Sequence, residues 1–196
     1  DSNYTPSTSD NYMLNAIQPS NILVEDMTFD ISESGITNLL HLGTCKKVYF
    51  RNVEFIGREA SILVNTSASS NIVELVFENC RFKGLSQDVK AQNAIVINGE
   101  LSELNINNSD FARFSNEAII ISSIDNHKQT NGIITSNNFS SCGETSNVVL
   151  RFGETSSYIN VAHNVFDKEV IEQTADVKPY INDSELNNID ILNAKE

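Results

Sequence analysis

Leu75-Val-Phe-Glu-Asn-Cys-Arg-Phe82 is one of six versions of a single phrase, each closing on a phenylalanine. The others are Ile22–Phe29, Val48–Phe55, Leu104–Phe111, Gly132–Phe139 and Ile159–Phe166. Successive closing phenylalanines are 26, 27, 29, 28 and 27 residues apart. Within the phrase, apolar residues stand seven and five positions before the phenylalanine, as in Val48 and Phe50 or Leu75 and Phe77. That two-residue period belongs to a β-strand with one buried face. The step from five-before to the phenylalanine breaks parity, so a bend must fall between them. Asp26, Asn52, Asn79, Asn108, Ser136 and His163 occupy the three-before position. Asn and Asp tolerate the left-handed backbone that a tight corner needs, so this column reads as structural.

A second apolar run follows each phenylalanine after a variable polar loop: Leu39–Leu42, Ile62–Val64, Ala94–Ile97, Ala118–Ile121 and Val148–Phe152. Each period therefore holds three short strands and no helical pattern. A sandwich would vary its strands and join antiparallel neighbours by tight turns. Here one unit recurs in one direction, as in a solenoid whose coils bury their faces on each other. The expected fold is all-β, a parallel β-helix of about six to seven coils with three short strands per coil. Stacking also sets charges opposite: Glu25, Arg51 and Glu78 in one outward column, Glu54, Arg81 and Asp110 in another. Residues 1–11 read as a polar N-terminal segment and 12–192 as one domain, with an imperfect last coil from about 167. Val177–Ile181 is the candidate for a last second-run strand. The start at Asp1 and the lack of evident caps lead us to expect a fragment of a longer chain.

The net charge of −13 excludes a nucleic-acid role, which needs clustered Lys and Arg. No apolar run is long enough to insert in a membrane as a helix. Cys45, Cys80 and Cys142 are far apart and lack a Cys-x-x-Cys pair, so neither a metal site nor a disulfide framework is read, and no cofactor is expected.

The phrases Ile159-Asn-Val-Ala-His-Asn-Val-Phe166 and Leu75–Phe82 resemble those of the pectate-lyase-like right-handed parallel β-helix superfamily, over about residues 20–166. The aromatic lead of Cys45-Lys-Lys-Val-Tyr-Phe-Arg-Asn-Val-Glu-Phe-Ile-Gly57 is similar to that of phage tail spikes and fibres. The resemblance implies stacked asparagines at the corner. It leaves activity open, since the superfamily spans lyases, hydrolases, adhesins and tail spikes.

Saccharide-cleaving members would place carboxylates and basic groups on the second-run strands. With Leu40, Ile62, Ile95, Ile119 and Leu150 inward, the outward residues would be His41, Leu63, Val96, Ile120 and Arg151. The apolar Leu63, Val96 and Ile120 then form a candidate interface. Asp125 and His127, in Ser122-Ser-Ile-Asp-Asn-His-Lys128, are the catalytic candidates, for an acid/base role. Arg113, Arg151 and His41 are the binding candidates, the arginines for an acidic sugar.

The leading expectation is a non-catalytic host-attachment segment of a viral tail spike or fibre. It would sit on the virion or cell surface, homotrimeric, beside other virion proteins, and present loops to cell-surface polysaccharide. The alternatives are a polysaccharide lyase or glycoside hydrolase of the same fold, and a bacterial surface adhesin.

Overall fold

The structure is a computed structural model that describes residues 12–16, 21–122, 130–146, 148–152, 158–167, 171–173 and 189–190. Three parallel sheets wrap a single core. The first contains Tyr12–Ala16, Asn38–Leu42, Ile62–Thr66, Asn93–Ile97, Ile119–Ile121, Leu150–Phe152 and Ile171–Gln173. The second contains Asn21–Glu25, Cys45–Arg51, Asn71–Glu78, Glu100–Asn107, Asn131–Thr135 and Tyr158–Ala162. The third contains Thr28–Asp30, Glu54–Gly57, Arg81–Gly84, Asp110–Ala112, Asn138–Ser140, Val165–Phe166 and Ile189–Asp190. Neighbours within a sheet are separated by one full period of sequence, so the chain is a parallel β-helix. Among the described residues there is no α-helix.

The phrase spans the second and third sheets, and its columns stack in register. Val48 pairs with Leu75 and Leu75 with Leu104, just as Phe50 pairs with Phe77 and Phe77 with Ile106. All six closing phenylalanines are buried. Rings from Phe55 to Phe82, Phe111 and Phe139 lie 4.7 Å apart centroid to centroid, tilted by 5–13°. That distance is close to the strand spacing, so the coil repeat itself brings the rings into contact. Phe50 and Phe77 make a second stack and meet the first edge-on, the other arrangement that aromatic quadrupoles favour.

The three-before residues Asp26, Asn52, Asn79, Asn108, Ser136 and His163 all have φ between 50° and 57°. Their side chains are exposed, and each backbone N–H of the first five donates to the strand end of the following coil. The buried ladder lies one residue later, in the two-before column, which runs from the exposed Met27 to the buried Val53, Cys80, Ser109, Asn137 and Asn164. Asn164 Oδ1 accepts the Asn137 N–H at 3.0 Å, and Asn137 Oδ1 accepts the Ser109 N–H at 2.9 Å. The Ser109 hydroxyl takes the Cys80 N–H at 3.0 Å, while both asparagine amides donate to strand carbonyls at Ile106 and Ile134. An asparagine here answers the N–H that the corner leaves unpaired inside, which apolar surroundings would otherwise penalise. Burial also pushes the Cys80 thiol up to about 11, consistent with a packing role.

The register corrects the expected outward column of the first sheet. Leu40 pairs with Val64, and Val64 with Ile95, so Asn65 stands beside His41 and Val96. Leu63 is fully buried, packed near Gly57 where the chain turns into the strand. Alternation fails there because the corner carries both faces inward, as the burial of Leu39, Ala94, Ala118 and Val149 also shows. Val96 is 8 % exposed and Ile120 only partly so. Exposed apolar residues lie instead on the second sheet, where Leu23 is 62 %, Val73 53 % and Ile133 39 % exposed, and outside the strands at Met27 and Leu85. Leu23, Tyr49, Val76, Asn105 and Ile133 form one outward column by register. After Phe166 the first sheet gains Ile171–Gln173, earlier than expected, and Val177–Ile181 falls outside the described residues.

Candidate functional site

The third-sheet strands from Thr28–Asp30 to Asn138–Ser140 return to the first sheet by loops that the phrase does not specify. In the middle of the solenoid these loops enclose a cleft of about 540 Å³ lined by Glu59, Ala60, Gln87, Asp88, Lys90, Gln92, Ser115, Asn116 and Glu144. Four consecutive loops contribute to it. Their backbones stack as the strands do: Gln92 N–H donates to Ser61 O at 2.7 Å, Asn116 N–H to Gln92 O at 3.1 Å and Gly143 N–H to Asn116 O at 2.9 Å. The floor is therefore an extension of the rigid coil rather than a free loop.

Two residues shape the loop between Gly84 and Asn93. Gly84 ends its strand where an added Cβ would lie 2.5 Å from Arg113 O and 2.7 Å from Ala91 N, so the chains approach too closely for any side chain. The Arg113 guanidinium donates to the carbonyls of Gly84 and Leu85 at 3.2 and 2.9 Å, clasping the start of the loop. Ala60, at the cleft edge, holds φ at 57°, an uncommon state for a residue without a polar side chain.

The side chains fall into two groups. Lys90 is mostly buried and pairs with Glu144, and the Ser115 hydroxyl donates to Ala91 O at 3.3 Å. Glu59, Gln87, Asp88, Gln92 and Asn116 make no side-chain hydrogen bond or ion pair among the described residues. Two carboxylates and three amides thus face one concavity with their donors and acceptors uncommitted. Such groups can exchange hydrogen bonds with hydroxyls, and the arrangement supplies few apolar walls. Among the described residues no cluster of His, Cys, Asp and Glu could hold a metal ion.

The sequence-derived candidates do not gather here. Asp125 and His127 lie outside the described residues. Arg113 borders the cleft as a clasp. Arg151 is on the first sheet, where its Nε and Nη2 donate to Glu117 Oε1 at 2.8 and 2.5 Å. Glu117 is 5 % exposed, so this guanidinium serves to pair a buried carboxylate. His41 packs its ring on Tyr12 at 4.8 Å. The cleft residues escaped notice because they sit in loops of unequal length, where no column can be drawn.

Ion pairs occupy the outward columns of the phrase. Arg81 lies between Glu54 at 3.5 Å and Asp110 at 3.9 Å, and Arg51 pairs with Glu25. Glu78 instead accepts a hydrogen bond from the Tyr49 hydroxyl, which raises the tyrosine's pKa. A hydrogen bond from Lys83, added to by Arg81, holds Glu54 below the usual carboxylate range.

No family model matches the chain, and neither the curated proteins nor the solved structures compared with it contain a match. The site must be read from its own chemistry.

Proposed function

We propose that this chain is the β-helical segment of an extracellular or virion surface protein, of the tail-spike or fibre kind, that attaches to cell-surface glycans through the loop cleft. One observation carries the reading: five uncommitted polar side chains, three of them amides, converge on a concavity floored by rigid coil backbone. Saccharides are recognised by hydrogen-bond exchange with such side chains, and a preorganised floor lowers the ordering cost of binding. The fold suits repeated surface contact because its coils bury one continuous core. Leu23, Val73 and Ile133, exposed on the second sheet, offer apolar surface for side-by-side association, and a homotrimer is the assembly we propose for it.

A glycan array probed with the chain and with a Gln92→Ala/Asn116→Ala variant tests this. Binding by the first and its loss in the second supports attachment through the cleft. Equal binding by both, or none by either, contradicts it. Glu59, Asp88 and Glu144 in one cleft also give the hydrolase alternative a specific basis, because paired carboxylates cleave glycosides. Reducing ends released from a bound glycan, and lost in Asp88→Asn, would convert the reading to that of an enzyme.

A further inference from the structure

The charge of the cleft limits which glycans it can take. Its uncommitted charged groups are Glu59 and Asp88, both acidic, and its lysine is already neutralised by Glu144. None of the neighbouring arginines lines the cleft: Arg151 is paired with Glu117, while Arg58 donates to Ser34 O and Arg113 to Gly84 O and Leu85 O. A sugar carboxylate or sulfate entering here would meet like charge with no unpaired cation on the cleft lining to receive it, and binding would be opposed. A ligand with ammonium groups would meet two free carboxylates. The carboxylates do not assemble into a group able to hold a metal ion among the described residues, so a cation spread along a larger molecule fits better than a bare ion.

We infer that the cleft selects a saccharide bearing free amines, such as an oligomer of unacetylated glucosamine, over uronate-bearing glycans. The three amides Gln87, Gln92 and Asn116 read the hydroxyls, while Glu59 and Asp88 receive the ammonium groups. Glu59 and Asp88 are both exposed, so the charge contribution is screened by salt. This selectivity rests on the glycan-binding reading of the same cleft.

Titration calorimetry at pH 6 separates the two. The probes are a glucosamine tetramer, its N-acetylated counterpart and a galacturonate tetramer, each against the chain and against Glu59→Gln/Asp88→Asn. The expected result is tightest binding of the amine tetramer, about fivefold over the acetylated one in low salt. The double variant should equalise those two, and the galacturonate should not bind. Tighter or equal binding of galacturonate overturns the inference while leaving glycan attachment standing. Binding of none of the three by the chain overturns the inference and counts against the attachment reading. An unrelated lysine tetrapeptide that binds as tightly as the amine sugar would also overturn it, since charge alone would then explain the affinity.

Discussion

The phenylalanine stack and the loop cleft alternate along the chain, yet they treat polar and apolar groups in opposite ways. Within the repeated phrase, positions answer to a neighbour one period away: the Phe55 ring on that of Phe82, the Asn137 amide on the Ser109 backbone, Arg81 between two acids. A few residues beyond Phe82, the side chains of Gln87, Asp88 and Gln92 line the cleft with no side-chain hydrogen bond or ion pair among the described residues. The same chain thus saturates its contacts where the period holds and leaves them open where it lapses. Saturated contacts are what a solenoid needs to hold its register, and open ones are what a ligand needs.

If that contrast is right, substitutions should divide cleanly between stability and binding. The largest stability loss should come from Phe82→Ala, which removes a fully buried ring flanked by Phe55 and Phe111. Urea denaturation should show about 3–5 kcal/mol of destabilisation. Asn137→Ala should follow, at about 1–3 kcal/mol, because the Ser109 N–H would be left buried without an acceptor. A near-neutral Asn137→Ala would mean that the internal amide ladder does not hold this corner.

A smaller effect should appear with acid. Glu54 titrates below its ordinary 4.5 when folded, so its ion pairs stabilise the fold above that pH and are lost as pH falls through the folded value. Thermal melts should therefore decline below about pH 4.5, and Glu54→Gln should remove part of that decline. A decline of the same size in the variant would place the acid sensitivity elsewhere. Smallest of all should be the stability effect of Gln92→Ala or Asp88→Asn, within about 0.5 kcal/mol. Loss of folding in either variant would make the cleft part of the scaffold and erase the distinction.

The scaffold was legible in the sequence because stacking forces like residues into columns, and columns are visible as periods. The six corner residues and the acid–Arg81–acid column can be read directly from spacing. The internal ladder was harder: its column passes from Met27, Val53 and Cys80 to Ser109, Asn137 and Asn164, so neither polarity nor size is constant along it. Leu63 misled for a different reason. Strand alternation was carried one residue too far into a corner, where both faces of the chain turn inward. The cleft was not legible at all, since Glu59, Gln92 and Asn116 come from loops of different lengths and meet only through the stacking of their backbones.

The most direct test is chemical-shift mapping of the isotopically labelled chain titrated with a glycan that it retains. Perturbations confined to residues 59–60, 87–92, 115–116 and 144, with the phenylalanine coils unshifted, are what this account predicts. Shifts centred on the outward faces of the sheets, with the cleft silent, would contradict it.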